Sequence, residues 1–441
     1  MRGPIKRAPL GFRPVLVLLH RWVGLGMAAF LFISGLTGAV ISWDHELDEW
    51  LNPHLTRARA EGPPLAPLAL ARAVEARYPQ VQVTYVPLAV EPGHALALFV
   101  EPRVNAATGQ LHQPGFNQVF LDPASGQELG RREWGAVWPL SQENFVSFLY
   151  VLHYSLHLPA WGGIDRWGVW LMGVVALLWT VDCFTGLYLT LPPSRTGRRG
   201  PAAPGTGEAS WWRRWAPAWK LRWRAGGHKF NFDLHRACSL WAWVLLLVVA
   251  FTAFSLNLYR EVFFPVMSLV SNVTPTPTDQ RTPAPQEQPI AAGMSMDTIL
   301  ALARQEASRR NWPEPAGAIG YDRTIGLYSV QFFQPADEHG AGGVGHRELY
   351  LDGQDGRLLG QREPWRGTAA DLFVQAQFPV HSGRILGLPG RVLISLLGLV
   401  VAMLSVTGVL IWWRKRGARS RRLTPARAMP REMSKPHARF D

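Results

Sequence analysis

Four apolar runs decide what this chain can fold into. They cover approximately residues 15–43, 167–191, 240–262 and 392–413, and each is long enough to cross the roughly 30 Å hydrocarbon layer of a bilayer, which takes about 20 apolar residues in a helix. The expected fold class is a mainly α membrane protein with four transmembrane helices. The first run is too long for a cleavable signal peptide. No small-residue cleavage site precedes the acidic stretch Asp44, Glu46, Asp48 and Glu49 that closes it. Composition agrees with the runs: charged residues make up 17% of the 441 positions, against roughly 25% in soluble domains, which excludes an ordinary cytosolic or disordered chain. Twenty tryptophans against nine tyrosines suit a chain with many water–lipid boundaries, where an apolar ring with one polar N–H is well placed.

The formal charge is +13, and its placement sets an orientation. Arg2, Lys6, Arg7 and Arg13 precede the first run, basic residues from Arg195 to Arg224 lie between the second and third, and Arg414 to Arg439 follow the fourth. Lys and Arg in short segments beside spans stay on the cytoplasmic side. Both termini are therefore expected inside, in the inner (cytoplasmic) membrane of a bacterial cell, with the two long segments in the periplasm. The first half then divides into a cytoplasmic N-terminus (1–14), a transmembrane helix (15–43), a periplasmic module (44–141) and an outer helix plus second transmembrane helix (142–191). A basic, Trp-rich cytoplasmic loop (192–233) leads to the third transmembrane helix (234–262) and a second periplasmic module with a Pro-rich linker (263–372). An outer helix plus fourth transmembrane helix (373–413) and a basic cytoplasmic tail (414–441) complete the chain.

The halves repeat one order of parts. Leu19-His20-Arg21 opens the first span and Leu234-His235-Arg236 the third, while Thr185-Gly186 and Thr407-Gly408 close the second and fourth. Each external segment carries a near-copy of one phrase, residues 121–131 (LDPASGQELGR) against 351–361 (LDGQDGRLLGQ), which reads as strand, Asp/Gly turn, strand. Upstream of each lies a helical pattern, 68–78 and 296–309, and alternating apolar residues such as Val81, Val83 and Tyr85 follow the first, so two small α+β modules are expected. Two spans per half make these parallel repeats.

A polar ring in or at the edge of a span is costly and points to function. His20 sits just inside the cytoplasmic end of the first span and His235 at the start of the third, so these two lie at matching depth. His153, His157 and His381 precede the second and fourth spans on the outer side and form a second level. On a helix over 145–158, His153 and His157 share one face. One such histidine alone reads equally well as an interfacial residue bonded to lipid or backbone. As a set, two levels each supplied by two spans provide two bis-imidazole sites for haem iron stacked across the bilayer, His being a standard axial ligand. Cys183 and Cys238 both lie in apolar segments, and no Cys-x-x-Cys-His string exists, so thiolate clusters and covalent attachment are excluded and the expected cofactors are two non-covalent haem b groups. Zinc wants four N, S or O ligands, and neither level has a Cys or an evident carboxylate partner within the apolar runs. Arg21 and Arg236 suit haem propionates and lipid phosphate equally. Gly24, Gly26, Gly35 and Gly38 suit a flat macrocycle and close helix packing equally.

These residues also carry a resemblance. LHRWVGL at 19–25, LHYSL at 152–156, DCFTGLYLTLP at 182–192, VHSGR at 380–384 and TGVLIWW at 407–413 together resemble the PepSY-associated transmembrane proteins over nearly the whole chain. The external modules resemble PepSY domains, in which the Leu-Asp-Pro-x-x-Gly phrase is typical. Members of this family include inner-membrane dihaem reductases acting on ferric siderophores, so the resemblance implies that activity and a ferric siderophore as partner. The family's histidines fall on His20, His153, His235 and His381, and the haem-binding set then includes Arg21 and Arg236. Val380 stands where the family often has Leu. His157 is the alternative to His153: the motif favours His153, whereas the repeat alignment gives His157 some support, since it precedes Arg166 much as His381 precedes Arg391.

Other strings carry less. Residues 340–345 (GAGGVG) match a dinucleotide fingerprint, which requires a βαβ unit. No nucleotide or flavin site is otherwise visible, so electrons must come from membrane quinol or a cytoplasmic reductase. The basic Trp-rich stretch from Trp211 to Arg224 resembles a single-strand nucleic-acid platform, but between two spans it is expected on anionic lipid heads, with no nucleic acid. His45, between Asp44 and Glu46, reads as a solvated boundary residue. The competing function is a haem-free membrane anchor whose PepSY modules bind or inhibit a periplasmic partner.

Overall fold

The computed structural model describes residues 11–193, 210–335, 337 and 339–423. Arg2, Lys6, Arg7, Arg195 and the tail beyond Leu423 lie outside the described residues. The chain opens with α1 (Phe12–Ile41) and the short helices α2 (Asp44–Leu51) and α3 (Pro53–Thr56). α4 (Pro67–Arg77) follows with strands β1 (Val81–Pro87), β2 (Leu96–Pro102), β3 (Gln118–Leu121) and β4 (Glu128–Arg132), then α5 (Phe145–Ser155) and α6 (Trp167–Thr190). After α7 (Trp211–Trp215) come α8 (Gly227–Trp241), α9 (Trp243–Asn257) and α10 (Phe264–Val270). The order is then repeated: α11 (Met296–Arg309), β5 (Ala316–Asp322), β6 (Leu327–Phe332), β7 (Arg347–Asp352) and β8 (Leu358–Arg362), closed by α12 (Ala369–His381) and α13 (Leu388–Leu423).

Among the described residues, Phe12–Ile41, Trp167–Thr190 and Leu388–Gly417 are long and apolar enough to cross a membrane. They leave Val17, Leu36, Val181, Leu396 and Leu399 exposed, as suits helices solvated by lipid, where each backbone polar group is paired within its own helix. The chain is a membrane protein. The expected continuous third helix over 234–262 is corrected: α8 and α9 meet at Ala242 with a bend of 72°, and α9 ends at Asn257 in a π-helical turn, Tyr259–Phe263. The composition explains the break. α9 is apolar almost throughout, whereas α8 carries His228, Lys229, Asn231, Asp233, His235 and Arg236, so the bend separates a polar helix from an apolar one. Counted as one broken span, the pair is the fourth. α1 and α13 cross at Gly35 and Gly398, where a Cβ on Gly35 would stand 2.6 Å from the Gly398 carbonyl oxygen. Small residues let the two backbones touch.

The two external segments, expected as two small α+β modules, share one sheet. All eight strands form one antiparallel sheet in the order β4-β3-β2-β1-β5-β6-β7-β8, and the halves join edge to edge through Tyr85 opposite Gly320, Val86 opposite Ile319 and Pro87 opposite Ala318. Either four-stranded half alone would expose a row of unpaired N–H and C=O groups on β1 or β5, and their mutual pairing removes both edges. One apolar core runs beneath, with Leu68 and Val74 of α4 and Ile299 and Ala303 of α11 packed on Val81, Leu98, Val119, Ile319, Val330 and Leu349. The repeated phrase forms the β3–β4 and β7–β8 turns, where Asp122 and Asp352 each hold the segment entering their half. Asp122 accepts from the backbone N–H groups of Arg59 and Ala60 at 2.6 and 2.8 Å, and Asp352 accepts from the Arg281 guanidinium.

Candidate functional site

Two pairs of histidines meet between the helices. On the side far from the sheet, His20 of α1 faces His235 of α8 with ring centres 6.5 Å apart. On the sheet side, His153 near the end of α5 faces His381 at the end of α12 at 6.2 Å. Imidazole nitrogens bound to opposite faces of one metal, at about 2 Å each, place ring centres about 6 Å apart. Both pairs have that spacing. Gly38, whose neighbour is His153, lies on the same helix as His20, and the rise between them is roughly 27 Å, close to the thickness of the hydrocarbon layer.

Each of the four rings is fixed through Nδ1. His20 donates to both oxygens of Asp182 on α6, at 2.9 Å each. His153 donates to the Ser34 carbonyl at 3.0 Å with the Thr37 hydroxyl at 3.1 Å. His235 bonds Thr407 of α13 and His381 bonds Thr252 of α9, both at 2.9 Å. The Thr407 and Thr252 hydroxyl hydrogens are committed to the carbonyls of Met403 and Val248 one turn back, so their oxygens accept and the histidines carry the proton on Nδ1. That leaves Nε2 as the bare lone-pair nitrogen on all four rings. An imidazole oriented this way by its other nitrogen is the usual arrangement at a metal. The bend between α8 and α9 serves it, because α8 packs on α13, where Asn231 donates to the Thr407 carbonyl at 3.1 Å.

The donor set decides which metal group fits. Among the described residues no group of three or more His, Cys, Asp or Glu side chains is placed to hold a metal ion, so each pair offers two nitrogens, a donor set that fits a group bringing its own remaining ligands, as the four ring nitrogens of a porphyrin do. Open space lies beside the sheet-side pair. A cavity of about 280 Å³ between the helices is lined by His153 and His381 together with Gly38, Trp179, Tyr154 and Arg384. A Cβ on Gly38 would stand 2.8 Å from Cε1 of His153, while Gly186 and Gly408 face Cε1 of His20 and His235 at 3.6 and 3.4 Å. Among the described residues four buried polar side-chain atoms lack a partner, and two of them are Nε of Arg21 and Nε of Arg236, the arginines next in sequence to the far-side pair. A propionate carboxylate is the kind of partner such a buried donor lacks.

The glycines of the first span do different things: Gly35 packs on α13, Gly38 makes room for His153, and a Cβ on Gly24 or Gly26 would meet no other part of the protein within 4 Å. His157 is not brought to His381. The expected helix over 145–158 stops at Ser155, and Leu156 and His157 take left-handed conformations (φ 55° and 52°), so His153 and His157 share no face. His157 instead donates from Nε2 to the Phe148 carbonyl at 2.9 Å and stacks on that ring at 4.7 Å. The expectation that no carboxylate accompanies the pairs is also corrected, since Asp182 lies inside the second apolar run. Its signal was visible as the one charge between Trp167 and Thr190. Arg384 was visible as the last residue of VHSGR at 380–384, whereas Thr37 and Thr252 gave nothing beyond their residue type.

The signals discounted from sequence stay apart from the histidine pairs. Ala341–Gly343 is a 3₁₀ turn leading into β7 with no helix after it, so the βαβ frame of a dinucleotide site is missing there. His45 and His94 both bond Glu49, at 3.1 and 2.9 Å. The basic Trp segment builds a chain of ring contacts from Trp211 through Trp215 and Trp219 to Trp241, and Trp215 donates to the Thr190 hydroxyl at the end of α6.

Comparison with curated proteins finds none that matches the chain. The family model for the PepSY-associated TM region matches residues 17–415, a stretch that runs from within α1 to within α13 and includes the sheet, and the chain belongs to that family.

Proposed function

We propose that this protein is an oxidoreductase of the bacterial inner membrane that passes electrons across the bilayer through two b-type haems to a periplasmic ferric siderophore, releasing Fe(II). The observation that carries the reading is the two facing bis-imidazole sets, each with Nδ1 anchored and Nε2 bare. His20 with His235 would hold one haem and His153 with His381 the other. Arg21 and Arg236 on one side and Arg384 on the other would meet the propionates. When bound, haem supplies one-electron chemistry between Fe(III) and Fe(II). The protein's part is to orient the rings, to exclude water with apolar walls such as Leu31, Met172, Val175 and Trp179, and to hold the two sites at opposite ends of α1.

Orientation follows from charge: Arg222, Arg224, Arg414, Lys415 and Arg416 gather on the far side from the sheet, which supports a cytoplasmic far side and a periplasmic sheet. Electrons then enter from membrane quinol or a cytoplasmic reductase and leave beneath the sheet. Siderophore oxygens are hard ligands that suit Fe(III) better than Fe(II), so reduction loosens the chelate. The Trp-rich basic segment rests on anionic lipid heads. The test is a dithionite-reduced minus oxidised spectrum of the purified protein with haem quantification. Two low-spin b-type haems per chain are expected. A colourless protein overturns the reading and favours a membrane-anchored PepSY protein that binds a periplasmic partner.

A further inference from the structure

The Thr-Gly pair is repeated between the halves but not used alike. Gly186 and Gly408 each face a histidine, and Thr407 accepts from His235 Nδ1 at 2.9 Å. Thr185 does not serve His20 in that way: its hydroxyl bonds the Val181 carbonyl at 3.5 Å, and Asp182, one turn earlier, takes Nδ1 with both carboxylate oxygens. The Asp182 side chain is only 12% exposed. Three of the four Nδ1 groups therefore meet neutral oxygens and one meets a carboxylate. On the sheet side, the acid lining the cavity is Asp44, which is held by Arg384 at 3.3 Å. Of the three arginines beside the pairs, Arg236 on the far side is paired with the buried Asp233 at 3.0 Å and Arg384 on the sheet side with Asp44 at 3.3 Å, which leaves Arg21 as the one of them to set against Asp182 on the far side.

We propose that Asp182 makes the far-side histidine pair the lower-potential of two haem sites, so that an electron moving toward the sheet moves downhill. The inference rests on the haem reading above. A carboxylate accepting from Nδ1–H draws the ring toward imidazolate and raises the donor strength of Nε2, which stabilises ferric over ferrous iron. The poorly hydrated setting strengthens that bond. A threonine oxygen carries no net charge and polarises the ring less. Each electron that the far-side haem would give up would be taken up by the sheet-side haem, and the Nδ1 proton would stay between His20 and Asp182. The electron is replaced by the quinol or reductase on the far side. Asp182 is a positioning residue that acts through His20.

The experiment is potentiometric titration of the purified full chain, following both haems optically, with low-spin ferric EPR alongside. Asp182→Asn is expected to raise the lower midpoint alone by at least a tenfold change in its reduction equilibrium, about 59 mV for one electron, and to alter one EPR signal. Asp182→Glu, which keeps the carboxylate, should restore most of both. Thr407→Asp places a carboxylate on the opposite ligand and should lower the same midpoint further, which keeps the proposal testable if the Asn variant loses haem. Unchanged potentials in Asn and Thr407→Asp variants that retain two haems overturn this inference and leave the haem reading standing, as do equal shifts in the Asn and Glu variants. A colourless wild-type protein overturns both.

Discussion

The two halves of the molecule build the same parts and then hold them by different partners. His20 and His235 occupy matching places, yet one is anchored by Asp182 and the other by Thr407. Asp122 and Asp352 occupy matching turns and both accept N–H groups of their own turn, yet one holds the incoming segment by the backbone N–H groups of Arg59 and Ala60 and the other by the Arg281 guanidinium. The repeat thus sets where a group stands, and single side chains outside the repeated phrases set the charge around it. Position is a property of helix and strand packing, which tolerates many sequences. Local potential is a property of one or two neighbours and is free to diverge.

The largest effects should come from removing one ring of a pair. His381→Ala is expected to abolish the sheet-side low-spin haem signal and to halt ferric-siderophore reduction while the far-side haem remains reducible. Turnover at the wild-type rate in that variant would end the proposed electron path. His20→Ala and His235→Ala should each remove only the far-side haem, and loss of both haems from either change in a folded protein would show that the two pairs are not independent sites.

The α5 residues sharpen the comparison next. His153→Ala should behave like His381→Ala in the haem spectrum. His157→Ala removes a stack on Phe148 and a bond to its carbonyl and should cost about 1 kcal/mol of stability with both haem signals kept. The reverse result would place the ligand at His157. Smaller still, Thr252→Val and Thr407→Val leave the rings in place without their Nδ1 acceptors. Each should weaken haem retention at its own level by about 10–100-fold, measured by transfer to apomyoglobin, and an equal loss at both levels would refute the assignment of one threonine to one site.

The sheet offers the smallest test. Burial alone would raise the Asp122 carboxyl, but the N–H groups of Ala60, Arg59 and Ser125 outweigh it and hold the group below the usual carboxylate range. At Asp352 burial is likewise outweighed, by the Gln354 N–H and Arg281. A carboxylate held low stabilises the fold fully above its ordinary value and loses that contribution as pH falls through the lowered one. Sheet stability should therefore decline below about pH 4, followed by circular dichroism in urea at a series of pH values. Asp122→Ala should cost about 1–3 kcal/mol at neutral pH and flatten the acid limb, whereas an unchanged acid limb would remove Asp122 from the account.

Much of this was legible in the chain. The spans at α1, α6 and α13, the repeated Leu-Asp phrase and the five candidate histidines follow from run length, turn residues and the cost of a polar ring in lipid, all of which are local or periodic. What local patterns do not carry is which edges meet and which side chains face each other. The β1–β5 pairing that fuses two modules into one sheet is an edge contact between segments over 200 residues apart, and hydrophobic alternation reads the same for an edge strand as for a central one. The bend at Ala242 sits where the composition changes, but its angle comes from α8 packing on α13. His153 and His157 are equivalent as a spacing of four, and only the left-handed turn at Leu156 takes one of them off the helix. Asp182, Thr37, Thr252 and Thr407 acquire their meaning from a histidine on another helix, a distance of 2.9 to 3.1 Å that only tertiary packing creates.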